Sequence, residues 1–145
     1  MYLRRFYFII LVYVNLKMEY DTKDKTFWKR KGNDMKVLLG AVNAKYIHSN
    51  LAVYCLKAYA EKYGDTSDEI SIGEYTINQQ LDEILRDIYK RKPDMLCLSC
   101  YIWNLTYVEE ICREIKKVMP QIIIWIGGPE VSYDGVKAVS YTHLR

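Results

Sequence analysis

Short hydrophobic runs alternate with longer amphipathic stretches between residues 35 and 138. Three runs, at 36–41, 94–100 and 121–128, are apolar over most of their length, which is typical of strands covered on both faces of a sheet. A fourth run, at 69–75, alternates less regularly and predicts a strand nearer the sheet edge. The pattern therefore predicts four strands.

The stretches between these runs have apolar residues at helical spacing, which predicts three helices and places Cys55 and Cys112 in the core. Ser49 or Asn50 can cap the first helix, and Gly64 can end it. The predicted buried stripes are Leu51, Tyr54, Cys55, Ala58 and Tyr59 in the first helix, Leu81, Ile84, Leu85 and Ile88 in the second, and Val108, Ile111, Cys112, Ile115 and Val118 in the third.

Two further pairs have the spacing of a capping box. Thr76 with Gln79 precedes the second helix, and Thr106 with Glu109 precedes the third, which Pro120 closes. These signals predict where both helices start.

Alternating strands and helices in units of about thirty residues predict an α/β fold, a Rossmann-like or flavodoxin-like parallel sheet with helices on both faces. In the flavodoxin-like order the first strand lies between the second and third, and the fourth lies beyond the third. Three loops then converge at the carboxyl edge of the sheet, at 42–50, 99–104 and 127–134. This edge is where such sheets bind ligands.

Several common sites are excluded at these loops. Gly40 stands alone inside the first strand, so neither a phosphate loop nor a dinucleotide fingerprint is present. Asn43 and Ser99 occupy positions where a phosphoreceiver needs acidic residues. Cys97 and Cys100 would point to opposite faces of an extended strand, about 10 Å apart, which favours structural cysteines over a disulfide. Four cysteines without framework spacing predict a reducing, cytoplasmic location.

The net positive charge of the chain lies at its two ends. Residues 1–34 hold eight basic and four acidic residues, a net of +4, whereas residues 35–138 hold twelve and fourteen, a net of −2. The central segment therefore gives no electrostatic support for a nucleic-acid partner, which requires a clustered basic face.

Both ends of the chain look foreign to this domain. The apolar run near the start is about nine residues long, too short for a membrane span. The residues before Met35 can be encoded by a purine-rich stretch that resembles a bacterial ribosome-binding site, which predicts that translation starts at Met35 and that residues 1–34 are a non-native or disordered leader. A genuine N-terminal helix or anchor is the alternative. Residues 139–145 resemble a translated sequencing-library adapter, which leaves 35–138 as a partial domain; a native polar C-terminus is the alternative.

Three segments together resemble a known family: MKVLLGAVNAKYIHSNLAV, LSCYIWN and IGGPEVSYD. They look like the N-terminal cobalamin-binding domain of cobalamin-dependent radical S-adenosylmethionine (SAM) proteins. The resemblance implies a corrinoid held beside a separate barrel that carries an iron–sulfur cluster and SAM. The barrel's Cys-x-x-x-Cys-x-x-Cys motif does not occur in this sequence. The resemblance therefore implies a fragment that is inactive alone, cut from a methyltransferase-like enzyme.

The resemblance also implies site residues, position by position. Lys45 stands where the corrinoid-binding fold has its cobalt-ligating His, and His48 lies in the same loop as a possible cobalt or corrin contact. Ser99 matches a hydroxyl that bonds the nucleotide tail, and Gly127 with Gly128 match paired glycines that admit that tail. The full set of implied cofactor contacts is Asn43, Lys45, Tyr46, His48, Ser99, Tyr101, Trp103, Gly127, Gly128, Pro129 and Glu130.

Structural roles that need no cofactor are the alternatives for these residues. His48 can be a polar loop or capping residue, Ser99 can bond nearby backbone, and Tyr101 with Trp103 can cover the sheet edge or a domain interface. Asn104 can cap the helix that follows it whatever is bound. At the level of the domain, the alternatives are a docking or regulatory domain without corrinoid, or a flavodoxin-like module for another ligand such as a flavin.

Overall fold

A four-stranded parallel sheet forms the centre of the fold in the computed structural model, which describes residues 35–46, 48–63 and 68–133. The strands are β1 (Lys36–Asn43), β2 (Glu69–Thr76), β3 (Met95–Ser99) and β4 (Ile123–Gly127). Their order is β2-β1-β3-β4, and every pair is parallel. The predicted strand order is therefore confirmed.

The helices connect these strands as the pattern predicts. They are α1 (Leu51–Tyr63), α2 (Leu81–Arg91), α3 (Leu105–Val118) and a short α4 (Pro129–Tyr133). Helix α4 begins inside the segment that the sequence analysis assigned to a loop. Its signal is Pro129 at the first helical position, where the missing N–H and the fixed φ of proline favour a helix start.

Side chains alternate between the two faces of the sheet. Leu38 and Val42 of β1 belong to the larger core cluster, which also holds the apolar faces of α2 and α3. Leu39 and Ala41 belong to a smaller cluster with Val53 of α1. Helices thus cover both faces, as predicted for this fold class.

The predicted buried stripe of α1 is wrong. Leu51, Tyr54, Cys55 and Ala58 are exposed, whereas Val53 is buried. The helix is apolar on both sides, so its spacing fits two faces and does not identify the one that contacts the sheet. Cys55 is consequently a surface thiol rather than a core residue.

The buried faces of α2 and α3 are predicted better than that of α1, because charged residues mark the opposite faces of these two helices. Ile84 and Ile88 of α2 are buried, and Cys112 of α3 is in the core as predicted. Val118 is 56% exposed, since it is the last residue of α3 and lies beyond the end of the buried face.

Both predicted capping boxes need correction. Gln79 accepts a 2.9 Å hydrogen bond from the backbone N–H of Thr76, but α2 starts only at Leu81, so this pair closes the turn that precedes the helix. Thr106 lies inside α3, whose N-cap position is taken by Asn104.

Some predictions concern residues outside the described part. The leader at 1–34 and the tail at 139–145 lie there, and both stay predictions. Among the described residues, none of the helices has the length and apolar character needed to cross a membrane.

Candidate functional site

The carboxyl ends of β1, β3 and β4 lie side by side. Ser99 ends β3 and is in register with Ala41 of β1 on one side and with Gly127 of β4 on the other. A backbone hydrogen bond of 2.6 Å from Cys100 N–H to the Gly127 carbonyl continues the contact past the end of the sheet. The loops after these strands therefore converge at one edge, as the sequence predicts.

Asn104 joins two of these loops from the inside. Its side chain is 1% exposed, and its Nδ2 donates to the backbone carbonyls of Val42 at 2.9 Å and Ser99 at 3.0 Å. Its Oδ1 accepts a 2.7 Å bond from the N–H of Tyr101. The side chain makes no capping bond to α3. The expected capping role is replaced by one that fixes the backbone of the site.

Asn50 connects the first loop to Ser99. Its Oδ1 accepts a 3.1 Å bond from the N–H of Ala52, which makes Asn50 the cap of α1 and confirms that sequence prediction. Its Nδ2 donates a 2.9 Å bond to the Ser99 hydroxyl oxygen. The serine hydroxyl keeps its own proton, which is available for donation to a bound group.

Glu74 of β2 is a member of the site that the sequence analysis missed. One carboxylate oxygen accepts 3.1 Å bonds from Asn43 Nδ2 and from the N–H of Asn50. The other oxygen accepts a 2.7 Å bond from the Tyr54 hydroxyl. Glu74 is an exposed residue, and its slight desolvation raises its pKa, but these hydrogen bonds outweigh that effect and leave the pKa below its ordinary value. The sequence signal that could have identified Glu74 was a carboxylate close to the carboxyl end of β2, the strand next to β1.

The first loop carries three predicted contacts on its exposed tip. Lys45, Tyr46 and His48 are all exposed, Tyr46 to 72%. A 3.2 Å bond from the His48 N–H to the Lys45 carbonyl closes the turn. Within the described part of the chain, the hydrogen bonds that join the loops do not involve these three side chains.

The second loop presents a stacked aromatic pair. The rings of Tyr101 and Trp103 lie 4.5 Å apart between centroids, with planes inclined by 8°. Trp103 is 50% exposed, and the neighbouring Ile102 is exposed even further. The loop therefore offers a flat apolar surface to the outside.

Gly128, the second of the paired glycines, has an explanation inside the protein. Gly128 has a φ of +127°, and a Cβ there would collide with the backbone carbonyl of Cys100. Only glycine allows this conformation and this close approach of two loops. Gly128 is required by the backbone itself, before any ligand is considered.

The remaining predicted contacts lie in α4. Pro129 is exposed and Glu130 is partly exposed, both in the first turn of the helix.

Burial, with added repulsion from Glu130 and Glu109, raises the pKa of Cys100 to about 11. Cys100 is therefore a protonated core thiol, which agrees with the structural role expected from the sequence.

A protein-family model, described as the B12 binding domain, matches residues 36–143. The chain belongs to the B12-binding domain family. The match spans every strand of the sheet and all three loops at its carboxyl edge, which agrees with the resemblance found in the sequence.

Two proteins with named activities are similar to part of this chain. One is the cobalamin-dependent radical SAM methyltransferase TokK of Streptomyces tokunonensis, 38% identical over 40 residues, which are 28% of this chain and 6% of TokK. The other is the 2-(S-pantetheinyl)-carbapenam-3-carboxylate methyltransferase of Streptantibioticus cattleyicolor, 41% identical over 39 residues, which are 27% of this chain and 6% of that enzyme. The matched stretch is a small part of each relative's length.

The groups at the edge of this B12-binding domain are compatible with a corrinoid. The Ser99 hydroxyl is anchored with its proton free, and Trp103 offers an exposed flat ring. His48 carries the one imidazole of the first loop. In the described residues no cluster of three or more His, Cys, Asp or Glu is placed to bind a metal.

Proposed function

We propose that this B12-binding domain binds cobalamin at the carboxyl edge of its sheet. The observation that carries the proposal is the junction of three loops around Ser99. Asn50 and Asn104 join the first and second loops by side-chain hydrogen bonds, and the backbone bond from the Cys100 N–H to the Gly127 carbonyl joins the third. Membership of the B12-binding family supports the identity of the ligand. A crevice between loops, with an apolar surface and a few fixed polar groups, suits a large and mostly apolar ring.

Each part of the edge has a distinct role in this proposal. Ser99 donates its hydroxyl proton to the nucleotide tail of the cofactor, and Gly127 with Gly128 allow that tail to pass close to the backbone. Tyr101 and Trp103 pack against the corrin or its tail. One side of the proposed site is formed by the first loop, with Asn43, Lys45, Tyr46 and His48. Another side is formed by the third loop, with Pro129 and Glu130.

The domain supplies position and solvent exclusion. When bound, cobalamin would supply the organometallic chemistry of its cobalt centre, which no side chain of this domain provides. His48 is the proposed cobalt contact, because it carries the imidazole nearest in sequence to the position at which the corrinoid-binding fold has its ligand.

The relatives support a proposal about the whole protein. TokK is named as a cobalamin-dependent radical SAM methyltransferase. We therefore propose that this domain works beside a barrel domain with an iron–sulfur cluster and SAM, in methyltransferase-like chemistry, and that the domain alone is inactive. A Cys-x-x-x-Cys-x-x-Cys motif in the gene downstream of this chain would support that assignment, and a continuous gene without one would refute it.

One observation favours a second candidate, a docking domain without corrinoid. The outer side of α1 exposes Leu51, Tyr54, Cys55 and Ala58, which form an apolar stripe. Helices that are apolar on both sides are usually covered on both sides. Under this alternative the stripe contacts a partner domain, and the edge of the sheet binds no cofactor.

Titration with hydroxocobalamin distinguishes the two. The full chain is titrated while its tryptophan fluorescence and the visible spectrum of the corrinoid are recorded. Saturable quenching that weakens in Ser99→Ala supports the corrinoid site, and a change in the spectrum that is lost in His48→Ala supports cobalt ligation. A spectrum unchanged by His48→Ala would remove that residue from ligation. Absence of saturable quenching in the folded wild type would leave the docking domain as the better proposal.

A further inference from the structure

Glu74 lies on β2, outside the three loops, yet its carboxylate reaches two of the elements that form the site. Its bonds to Asn43, Asn50 and Tyr54 span 31, 24 and 20 residues of sequence. In register Glu74 lies opposite Ala41 of β1, two residues before the end of both strands. A single side chain thus gathers groups from β1, from the cap of α1 and from the body of α1.

The two amides that Glu74 holds stand at the two ends of the first loop. Asn43 is the last residue of β1, and Asn50 precedes the first residue of α1. Both bond to the same carboxylate oxygen, so the ends of the loop are fixed relative to one another. Between them the tip has a 3.2 Å backbone bond from the His48 N–H to the Lys45 carbonyl.

The same arrangement extends from Glu74 to Ser99. Asn50 receives its orientation through its backbone N–H at Glu74, and its side-chain amide then donates to the Ser99 hydroxyl. One residue, Asn50, therefore connects Glu74 to the polar group at the centre of the edge.

We propose that Glu74 is a positioning residue that fixes the first loop in its binding conformation before any ligand arrives, and that it thereby sets the affinity of the edge for a corrinoid. The second half of this inference rests on the proposed function, whereas the first does not. Bonds to a charged acceptor are stronger than neutral ones, which favours a carboxylate over an amide at this position. The pKa of Glu74 lies below its ordinary value, so the carboxylate is charged near neutral pH.

The test uses the full chain and four variants. Glu74→Ala removes the acceptor, and Glu74→Gln keeps an oxygen but removes the charge. Tyr54→Phe deletes only the bond to the second oxygen. Glu69→Gln is the matched control, because Glu69 is an exposed glutamate at the other end of β2, paired with Lys36 at 3.8 Å.

The first readout needs no ligand. Native-state hydrogen exchange of the Asn50 amide is followed by NMR, since that N–H bonds directly to Glu74. We expect Glu74→Ala to accelerate this exchange by about tenfold, Glu74→Gln by less, and Glu69→Gln not at all. Exchange at the Asn50 amide that is unchanged in Glu74→Ala would overturn the positioning role.

The second readout is the concentration of hydroxocobalamin at half saturation. We expect it to rise by about fivefold to tenfold in Glu74→Ala and to stay unchanged in Glu69→Gln. Faster exchange with unchanged affinity would overturn the link to binding. If the wild type binds no hydroxocobalamin, the proposed function fails while the exchange experiment still decides the role of Glu74. If Glu74→Ala does not fold, Glu74→Gln carries both readouts.

Discussion

The side-chain amide of Asn104 donates a 2.9 Å hydrogen bond to the backbone carbonyl of Val42, sixty-two residues earlier in the chain. This bond ties the end of β1 to the loop after β3 in a fully buried position. The same amide also satisfies the carbonyl of Ser99. The relative position of the first and second loops therefore depends in part on this buried side chain.

Replacement of Asn104 by Ala is expected to destabilise the protein by about 2–4 kcal/mol, because it leaves buried backbone groups without partners. Chemical denaturation of the two proteins measures the difference. Asn78→Ala is the control, since Asn78 is exposed in the turn before α2, and its loss is expected to stay within about 0.5 kcal/mol. Equal losses in the two variants would show that the buried amide does not stabilise the fold.

Gly128 is expected to tolerate no side chain. Gly128→Ala must place a Cβ against the Cys100 carbonyl at a positive φ, which we expect to cost about 2–4 kcal/mol. Gly73→Ala is the control, because Gly73 has no positive φ and the added Cβ there meets the side chain of Tyr75, at 2.6 Å from its hydroxyl oxygen, rather than backbone. Denaturation should show a clearly smaller loss for Gly73→Ala; the reverse order would contradict the backbone requirement at Gly128.

The four thiols are expected to separate into one reactive and three protected groups. Cys55 is exposed, whereas burial raises the pKa of Cys97 and of Cys112 to about 12 and that of Cys100 to about 11. A raised pKa means that the thiolate is scarce near neutral pH, and its fraction grows as the pH rises. Mass spectrometry after brief treatment with a thiol reagent should find one label in the folded chain and four after denaturation.

Two results would contradict that separation. Cys55→Ser should abolish the fast label, so a fast label that persists in this variant would show a second accessible thiol. Labelling of Cys112 as fast as Cys55 would show that the core around α3 is not packed as described.

Trp103 is expected to contribute to corrinoid affinity through its exposed ring. Trp103→Ala should raise the half-saturating concentration of hydroxocobalamin by about threefold to tenfold, whereas Trp103→Phe, which keeps a ring to stack on Tyr101, should change it less. The measurement is quenching of the remaining tryptophans or the visible spectrum. Unchanged affinity in Trp103→Ala would assign the stacked pair to covering the edge of the sheet.

Much of the fold followed from the sequence because its strongest signals are local. The runs at 36–41 and 94–100 are short and apolar, and parallel sheets bury such strands on both faces. The cap at Asn50 was also recognisable, since a side-chain oxygen just before an apolar stripe satisfies the free N–H groups of a helix. The convergence of three loops followed from the topology alone.

The orientation of α1 and the role of Asn104 did not follow. The apolar residues Leu51 and Tyr54 give the same helical pattern whether they face the sheet or the outside. Only tertiary packing determines which face of α1 contacts the sheet. Asn104 stands at a helix start, where capping is the usual function, but its partners lie as far away as Val42. Glu74 was missed because its partners belong to other elements and its own strand gave no motif.

Retention of cobalamin by the full chain tests the central claim most directly. The protein is incubated with hydroxocobalamin, desalted and examined by visible absorption, with flavin mononucleotide as the control ligand and circular dichroism to verify folding. We expect the protein to retain about one corrinoid per chain, measured by its visible absorbance, and to retain no flavin. A folded chain that leaves the column without corrinoid absorbance would contradict the claim that this domain binds cobalamin.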